Sequence, residues 1–450
     1  MLGKHHQKSQ VELFRSGLDQ MISLNQALVV LSKEVDWNWI ETELKGYYSR
    51  EGRPSIPIRT IVGMLLLKQL YNQSDESVLA RWVENPYWQY FTGETHFQHK
   101  PPFDPTDFVY FRKRVGKPGM EKVLGLTVKL HPGSEDEPIV QIDTTVQEKN
   151  ITFPTDTKLQ HRIIEYLWWI ANREQISLRQ SYRFVLKKLR LKMHNGYHPA
   201  RRKQANKARK KVKIICGRVL RDIERKLNEE QRAYYQPWLD LYRRVLAQKR
   251  YDKNKIYSLH EPEVYCVAKG KAHKKYEFGC KIAVVRGANS GVITGMNSFE
   301  ENIYDGHTLD PALAQSERIR QGAGGSRPQV AVVDRGCKGR KWIKDTQIMI
   351  PGKPTKGLTA YEKRKLRKLF RSRAGIEPII GHLKQDHRMQ RNYLSGVLGD
   401  AVNALLAGAA FNLKMRLNQL KEELKSIFDL LINALELVLL RSSLKLTSQI

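Results

Sequence analysis

The run Ile-Val-Gln-Ile-Asp-Thr-Thr-Val at 139–146 sets a single carboxylate, Asp143, among aliphatic and β-branched residues. Such a run reads as a buried strand, and a buried strand must have neighbours to pair with. A charge in that setting is costly unless it is paired, hydrogen-bonded or bound to a metal. The same problem recurs in Gln-Val-Ala-Val-Val-Asp-Arg-Gly at 329–336, an apolar strand that ends in Asp334 and a glycine-containing turn. The fold must therefore bury two strands and still find a partner for each aspartate.

Most of the remaining chain reads as helical. Residues 11–130 carry apolar positions at three-to-four spacing in four stretches, with helix starts at Ser74-Asp75-Glu76 and Asp104-Pro105. Ser77, three residues after Ser74, does not complete the usual capping-box pattern, which has Glu or Gln there. From about 156 to 250 the chain is helical and very basic: between Arg183 and Lys226 stand 17 Lys and Arg against Asp222 and Glu224. Alternating runs at 256–270, 276–287 and 290–300 predict an antiparallel meander. Helices are expected at 310–321, at 359–389, which contains Glu377, and from 394 onward.

The charge balance narrows the partners. The 450 residues hold 78 Lys and Arg against 46 Asp and Glu, a net +32, which repels itself unless the usual partner is a polyanion. DNA or RNA comes first. A membrane surface is the rival, but no stretch of 18 or more uncharged apolar residues occurs, and the nearest, 426–440, carries Asp429 and Glu436 and reads as an amphipathic helix. The amino-terminal segment lacks the apolar core and cleavage site of an export signal, so a cytoplasmic protein is expected. The four cysteines have no CxxC or CxxH spacing, which argues for reduced structural thiols.

Two strand carboxylates and a helical glutamate in so basic a chain fit a divalent-metal site for phosphoryl transfer. Hard oxygen ligands hold Mg²⁺, and two ions about 3.5–4 Å apart activate the attacking oxygen and stabilise the leaving one. On an unbroken helix Phe370, Arg373 and Lys384 share a face with Glu377. If Gly375 and Pro378 start a helix instead, Lys384 keeps that alignment and Arg373 loses it. The plainer alternatives are turn-capping aspartates and an ordinary ion-paired basic helix. Trp168-Trp169 and Tyr234-Tyr235 suit stacking on flipped or single-stranded bases, yet aromatics at helical spacing belong more often to a core, which is the expectation here.

Three motifs, in order, carry a resemblance: DTTVQEKNITFPTD from Asp143, VVDRGCKGR around Asp334, and RAGIEPIIGHLKQDHRMQRNYLSG from Arg373. The chain resembles bacterial insertion-sequence transposases of the DDE class, specifically the insertion-sequence five group, and the similarity extends to the helical region before residue 116. The resemblance implies an RNase H-like mixed sheet flanked by helices, an α+β or α/β fold. It implies a helical region at 1–130 for DNA binding or dimerisation, and a catalytic domain at 131–395 with a basic helical insertion at about 157–250. A carboxy-terminal helical region follows at 396–450.

Carried over by position, Asp143, Asp334 and Glu377 would be the catalytic, metal-binding triad, with Mg²⁺ as cofactor and Mn²⁺ as a substitute. Arg373 and Lys384 would touch the DNA end; the family's tyrosine position holds Phe370, a packing residue. Further DNA contacts are expected from Arg335, Arg201, Arg202, Lys203, Lys210 and Lys211. The implied partners are double-stranded DNA, as element inverted repeats and as target, and a second copy of the chain in a homo-oligomer. No membrane is implied; the setting is the cytoplasm, at the nucleoid when bound to DNA. An inactive DNA-binding copy and an RNase H-type nuclease remain as alternatives, which short inverted repeats flanking the gene would separate from a transposase.

Overall fold

The structure is a computed structural model that describes residues 3, 16–49, 51–268, 274–352 and 357–447, with side chains to 430 and at 432. The amino-terminal segment weighed for export, residues 1–17, lies outside them apart from Gly3, Ser16 and Gly17. In chain order the helices begin with α1 (Leu18–Met21), α2 (Ala27–Glu34), α3 (Trp37–Leu44), α4 (Ile58–Leu70), α5 (Asp75–Glu84), α6 (Pro86–Phe91) and α7 (Pro105–Val128). They continue as α8 (Asp156–Arg173), α9 (Arg183–Met193), α10 (Pro199–Lys226), α11 (Glu229–Ala247), α12 (Asp305–Gly322), α13 (Ala360–Ser372), α14 (Ile376–Gln385) and α15 (Gly396–Thr447). The strands are β1 (Ile139–Lys149), β2 (Tyr265–Ala268), β3 (Tyr276–Gly287), β4 (Ile293–Phe299), β5 (Val330–Val332), β6 (Trp342–Ile343), β7 (Thr346–Met349) and β8 (Arg391–Asn392). Two compact units result, Met1–Glu148 with Lys281–Ile450, and Lys149–Cys280.

The first unit holds a mixed sheet in the order β3-β1-β5-β7-β6, with β4 beside β3 and β8 beside β1. The pairs β1/β5 and β5/β7 are parallel, and β3/β4 and β6/β7 antiparallel. The expected meander is present: β2 pairs antiparallel with the first residues of β3, and β4 with the later ones. This is the α+β, RNase H-like architecture anticipated above.

The alternation of β1 separates two chemistries. Val140 and Ile142 join Ala283, Leu309, Leu313 and Val333 in an apolar cluster that covers one face with α12. Gln141, Thr145 and Gln147 are buried too. The Gln147 amide donates to the Asp400 carbonyl (3.2 Å) and accepts from Asn403 Nδ2 (2.9 Å) on α15. Gln69 of α4 in turn donates to Asn403 Oδ1 (3.2 Å) and the His387 carbonyl (2.9 Å). Both polar atoms of the Gln147 amide thus find partners, as burial demands, while Gln69 is satisfied through its nitrogen alone and its Oε1 is left buried without one.

Helix α15 packs along α7, α4, α2 and β4. Its fully buried Asn412 accepts from Ile293 N (2.8 Å) and donates to Ile293 O (2.9 Å) and Thr127 Oγ1 (3.2 Å). By length and composition Gly396–Leu430 is apolar enough to cross a membrane, but 78% of an apolar 18-residue stretch within it is buried in the fold, as in an interior helix.

Two local readings are corrected. Ser74 and Ser77 do form a capping box: Ser74 Oγ accepts from Ser77 N (3.1 Å) and Ser77 Oγ from Ser74 N (2.8 Å), a hydroxyl filling the usual carboxylate role. The apolar run after Ser74 is two helices, because Asn85 caps α6 through Tyr87 N (3.0 Å) and Trp88 N (3.2 Å) and Pro86 starts it. Helix α7 breaks at Gly116 (φ 59°, ψ −164°), a conformation open to glycine, with Pro118 opening the next segment.

In the second unit α10 packs against α8, α9 and α11. Ile163, Leu167, Val212, Cys216, Leu220 and Leu239 form its core. Lys149, buried, is neutralised by Glu261 at 3.1 Å. The span 149–280 holds 33 Lys and Arg against 12 Asp and Glu, so +21 of the chain's +32 lies here.

Candidate active site

The two aspartates meet because the sheet register brings them level. In the parallel pair β1/β5, Ile139 stands opposite Val330, an offset of 330 − 139 = 191, which is also 334 − 143. Continuing the register past Val332 sets Asp334 beside Asp143. Arg373 closes the pair: Nη1 lies 3.7 Å from Asp143 Oδ2 and Nη2 3.0 Å from Asp334 Oδ1. The guanidinium is largely buried (14% exposed), Asp143 is 21% exposed and Asp334 52%. Each aspartate also accepts a local backbone bond, Asp143 from Thr144 N (2.8 Å) and Asp334 from Arg335 N (2.6 Å).

Arg373 is held in place from beneath. It opens a 3-10 turn, Arg373–Gly375, between α13 and α14. Buried Arg286 of β3 donates to the Ser372 carbonyl (3.2 Å) and through Nε (2.9 Å) and Nη2 (2.6 Å) to Gln141 Oε1. Gln141 donates back to Ser372 Oγ (2.8 Å). Burial lowers the Arg286 pKa from its ordinary value, with Glu137 opposing. Sequence reasoning passed over Gln141, Arg286 and Ser372; the signal was an arginine and a glutamine inside otherwise apolar strands.

A third carboxylate lies close by. Asp305, the first residue of α12, accepts from Thr144 Oγ1 (3.2 Å) and pairs with buried Lys281 Nζ (2.9 Å), which also donates to the Ile303 carbonyl (2.6 Å). Burial raises the Cys337 thiol to about 11, with Asp305, Asp334 and Asp143 adding to the shift.

The remaining expected residues are distributed as follows. Glu377 is the second residue of α14, exposed, with Pro378 in the same first turn, so the helix restarts between Arg373 and Glu377. Lys384 and Phe370 are half-buried on α14 and α13. Arg335 is exposed and donates to the Pro351 carbonyl (3.3 Å). Arg201, Arg202, Lys203, Lys210 and Lys211 all lie exposed on α10 of the second unit.

By donor chemistry Asp143 and Asp334 fit a divalent cation: hard carboxylate oxygens from neighbouring strands converge on one positive charge, here a guanidinium. Among the described residues no three His, Cys, Asp or Glu side chains converge as a metal-holding group, so Glu377 stands apart from the pair in this arrangement.

Known proteins are similar over much of the chain. Residues 16–114 match the family described as Transposase domain (DUF772), and residues 249–413 match Transposase DDE domain. Asp334, Arg373, Glu377 and Lys384 fall inside the second match; Asp143 precedes it. Over 192 residues the chain is 39% identical to "Uncharacterized protein ORF8 in nfe locus" of Rhizobium meliloti, covering 42% of this chain and 93% of that protein. No solved structure matches. With two transposase domains in order, and a relative covered almost end to end, the chain belongs to the DDE insertion-sequence transposases.

Proposed function

We propose that this transposase, of the insertion-sequence five group by its motifs, binds the terminal inverted repeats of its own element and performs metal-dependent strand cleavage and strand transfer there. The observation that carries the reading is Arg373 set against both Asp143 and Asp334 where two parallel strands come level. Asp143 and Asp334 would hold Mg²⁺, or Mn²⁺ in its place, with Glu377 as the third carboxylate that family resemblance supplies. Bound there, the ion contributes Lewis acidity and charge neutralisation at the scissile phosphate.

The protein's own groups do the positioning. Arg373 presents a planar fork suited to paired phosphate oxygens and exchanges carboxylate for phosphate when DNA arrives. Lys384 and Arg335 add charge at the same strand. Water attacks phosphorus, the bond to the 3′-oxygen breaks, and the freed 3′-hydroxyl then attacks a phosphodiester of the target in line, expelling the target's own 3′-oxygen. Arg201, Arg202, Lys203, Lys210 and Lys211 hold backbone phosphates and position DNA without reading it.

The regions divide the work. Residues 1–130 bind the repeats or dimerise, 131–395 carry the chemistry, and 396–450 join copies, because two element ends must be held by at least a dimer. The protein acts in the cytoplasm, at the nucleoid.

The test is a cleavage assay with labelled DNA that carries the flanking repeats, in Mg²⁺ and in EDTA. Nicking at the repeat boundary is expected in Mg²⁺ alone, and Asp143→Ala, Asp334→Ala and Glu377→Ala each abolish it while binding persists. Binding without cleavage by the wild type would make this an inactive DNA-binding copy. Cleavage that ignores the repeats would make it a general nuclease.

A further inference from the structure

Within the second unit, two cavities lie side by side in one cleft region. The larger, about 1290 Å³, is cationic: Arg190, Arg209 and Arg250 line it and have no carboxylate partner among the described residues. Its acids are already neutralised, Asp156 by Lys255 at 3.0 Å and Glu165 by Arg162 at 3.0 Å. His161 Nε2, buried and without a hydrogen-bond partner, belongs to a residue of the same wall. The smaller cavity, about 550 Å³, is aromatic. The two share Arg162, Glu165, Tyr166, Leu259 and His260 in their linings, so they are adjacent.

The aromatic lobe keeps its rings about half exposed. Trp169 is 52% exposed, Tyr234 56% and Trp238 46%. Core packing does not account for that, since Trp168, Tyr235 and Tyr242 already serve the core behind them. Each aromatic doublet divides: Trp168 and Tyr235 turn inward, and Trp169 and Tyr234 turn out. Arg173 lies over both outward rings, 5.2 Å from the Trp169 centroid and 5.6 Å from that of Tyr234. Tyr234 and Trp238 stand 5.8 Å apart at 41°, tilted and not closed upon each other.

We propose that this cleft binds single-stranded DNA, with its phosphates along Arg190, Arg209 and Arg250 and an unpaired base stacked in the Trp169–Tyr234–Trp238 lobe. A cationic groove beside half-exposed aromatic rings is the arrangement that single-strand binders use. A duplex offers the phosphates but hides its base faces, so the aromatic lobe selects unpaired DNA. The unit's net +21 supplies the long-range attraction to either form. The inference goes beyond the catalytic reading and does not rest on it.

The test uses the full chain in EDTA, so that cleavage plays no part, with labelled oligothymidylate and a duplex of equal length followed by fluorescence anisotropy. Trp238→Ala and Trp169→Ala are each expected to weaken single-strand binding by about 5- to 150-fold and to leave duplex binding unchanged. Trp238→Phe restores most of the loss, which separates a stacking ring from a packing one. Arg190→Gln with Arg209→Gln weakens the binding of both forms and flattens its salt dependence. Equal single-strand affinity for wild type and Trp238→Ala, with the fold intact by circular dichroism, would overturn the proposal. So would tighter binding of an RNA strand of the same length and base composition. Loss of repeat cleavage with single-strand binding intact would count against the catalytic reading alone.

Discussion

Replacing Arg373 with Gln removes a positive charge that sits 3.7 Å from Asp143 and 3.0 Å from Asp334. Between unit charges about 4 Å apart the interaction is worth about 1 kcal/mol in water and about 4 kcal/mol near a protein surface. Asp334 is half exposed, so the low end applies to each pair, or roughly 2 kcal/mol in all. A divalent cation that binds the same two carboxylates competes with that guanidinium. In the absence of DNA, Arg373→Gln is therefore expected to tighten Mn²⁺ binding by about 10- to 30-fold. The free-Mn²⁺ signal in electron paramagnetic resonance reads the affinity directly, and Asp143→Asn serves as the variant that loses it. DNA cleavage by Arg373→Gln falls at the same time, because the phosphate loses its fork. Unchanged or weaker Mn²⁺ binding would refute the reasoning: either the aspartates do not hold the ion, or Arg373 does not compete for them.

Further outcomes follow from the network around the site. Arg286→Met leaves Gln141 Oε1 and the Ser372 carbonyl short of donors in a buried setting; a loss of about 2–6 kcal/mol is expected in urea unfolding, at about 1–3 kcal/mol per orphaned group, and Arg286→Lys recovers only part of it. Asn412→Leu strands the N–H and C=O of Ile293 between α15 and β4 and costs a similar amount by the same arithmetic. The Cys337 thiol, held up to about 11, is about 100-fold less ionised at pH 8 than a free thiol. Its alkylation by iodoacetamide in the native protein should therefore be at least that much slower than in urea, rising about tenfold per pH unit to pH 10; fast native labelling would contradict the burial.

What the sequence revealed depended on the range of the interaction. Asp143 and Asp334 were legible because a charge amid β-branched residues has few bland explanations, and the sheet register, with its offset of 191 residues, brings both within reach of Arg373. The meander was legible from alternation. The restart of the helix at Gly375–Pro378 was foreseen as one of two outcomes. Yet Arg373 still reached both aspartates, because Arg286 and Gln141 tether Ser372 from strands more than 80 residues away in sequence. No local pattern encodes such a tether. The split of Trp168 from Trp169 and of Tyr234 from Tyr235 was equally invisible: neighbours on a helix point about 100° apart, and only the packing of α8, α10 and α11 decides which ring is covered.

The buried polar face of β1 also governs how that strand can pair. In an ordinary buried strand one aliphatic residue substitutes for the next, and sliding by a residue costs little more than imperfect packing. Here Gln141, Asp143 and Gln147 each answer a different partner: Arg286, Arg373 and Asn403. A slip of one residue would turn these groups into the cluster of Val140 and Ile142 and present those aliphatic side chains to amides and a guanidinium. Each stranded group would cost about 1–3 kcal/mol, so the misregistered sheet is shut out several times over. The strand works as a notched key, and the polar cuts that admit only one alignment are also the ones that deliver Asp143 to the level of Asp334.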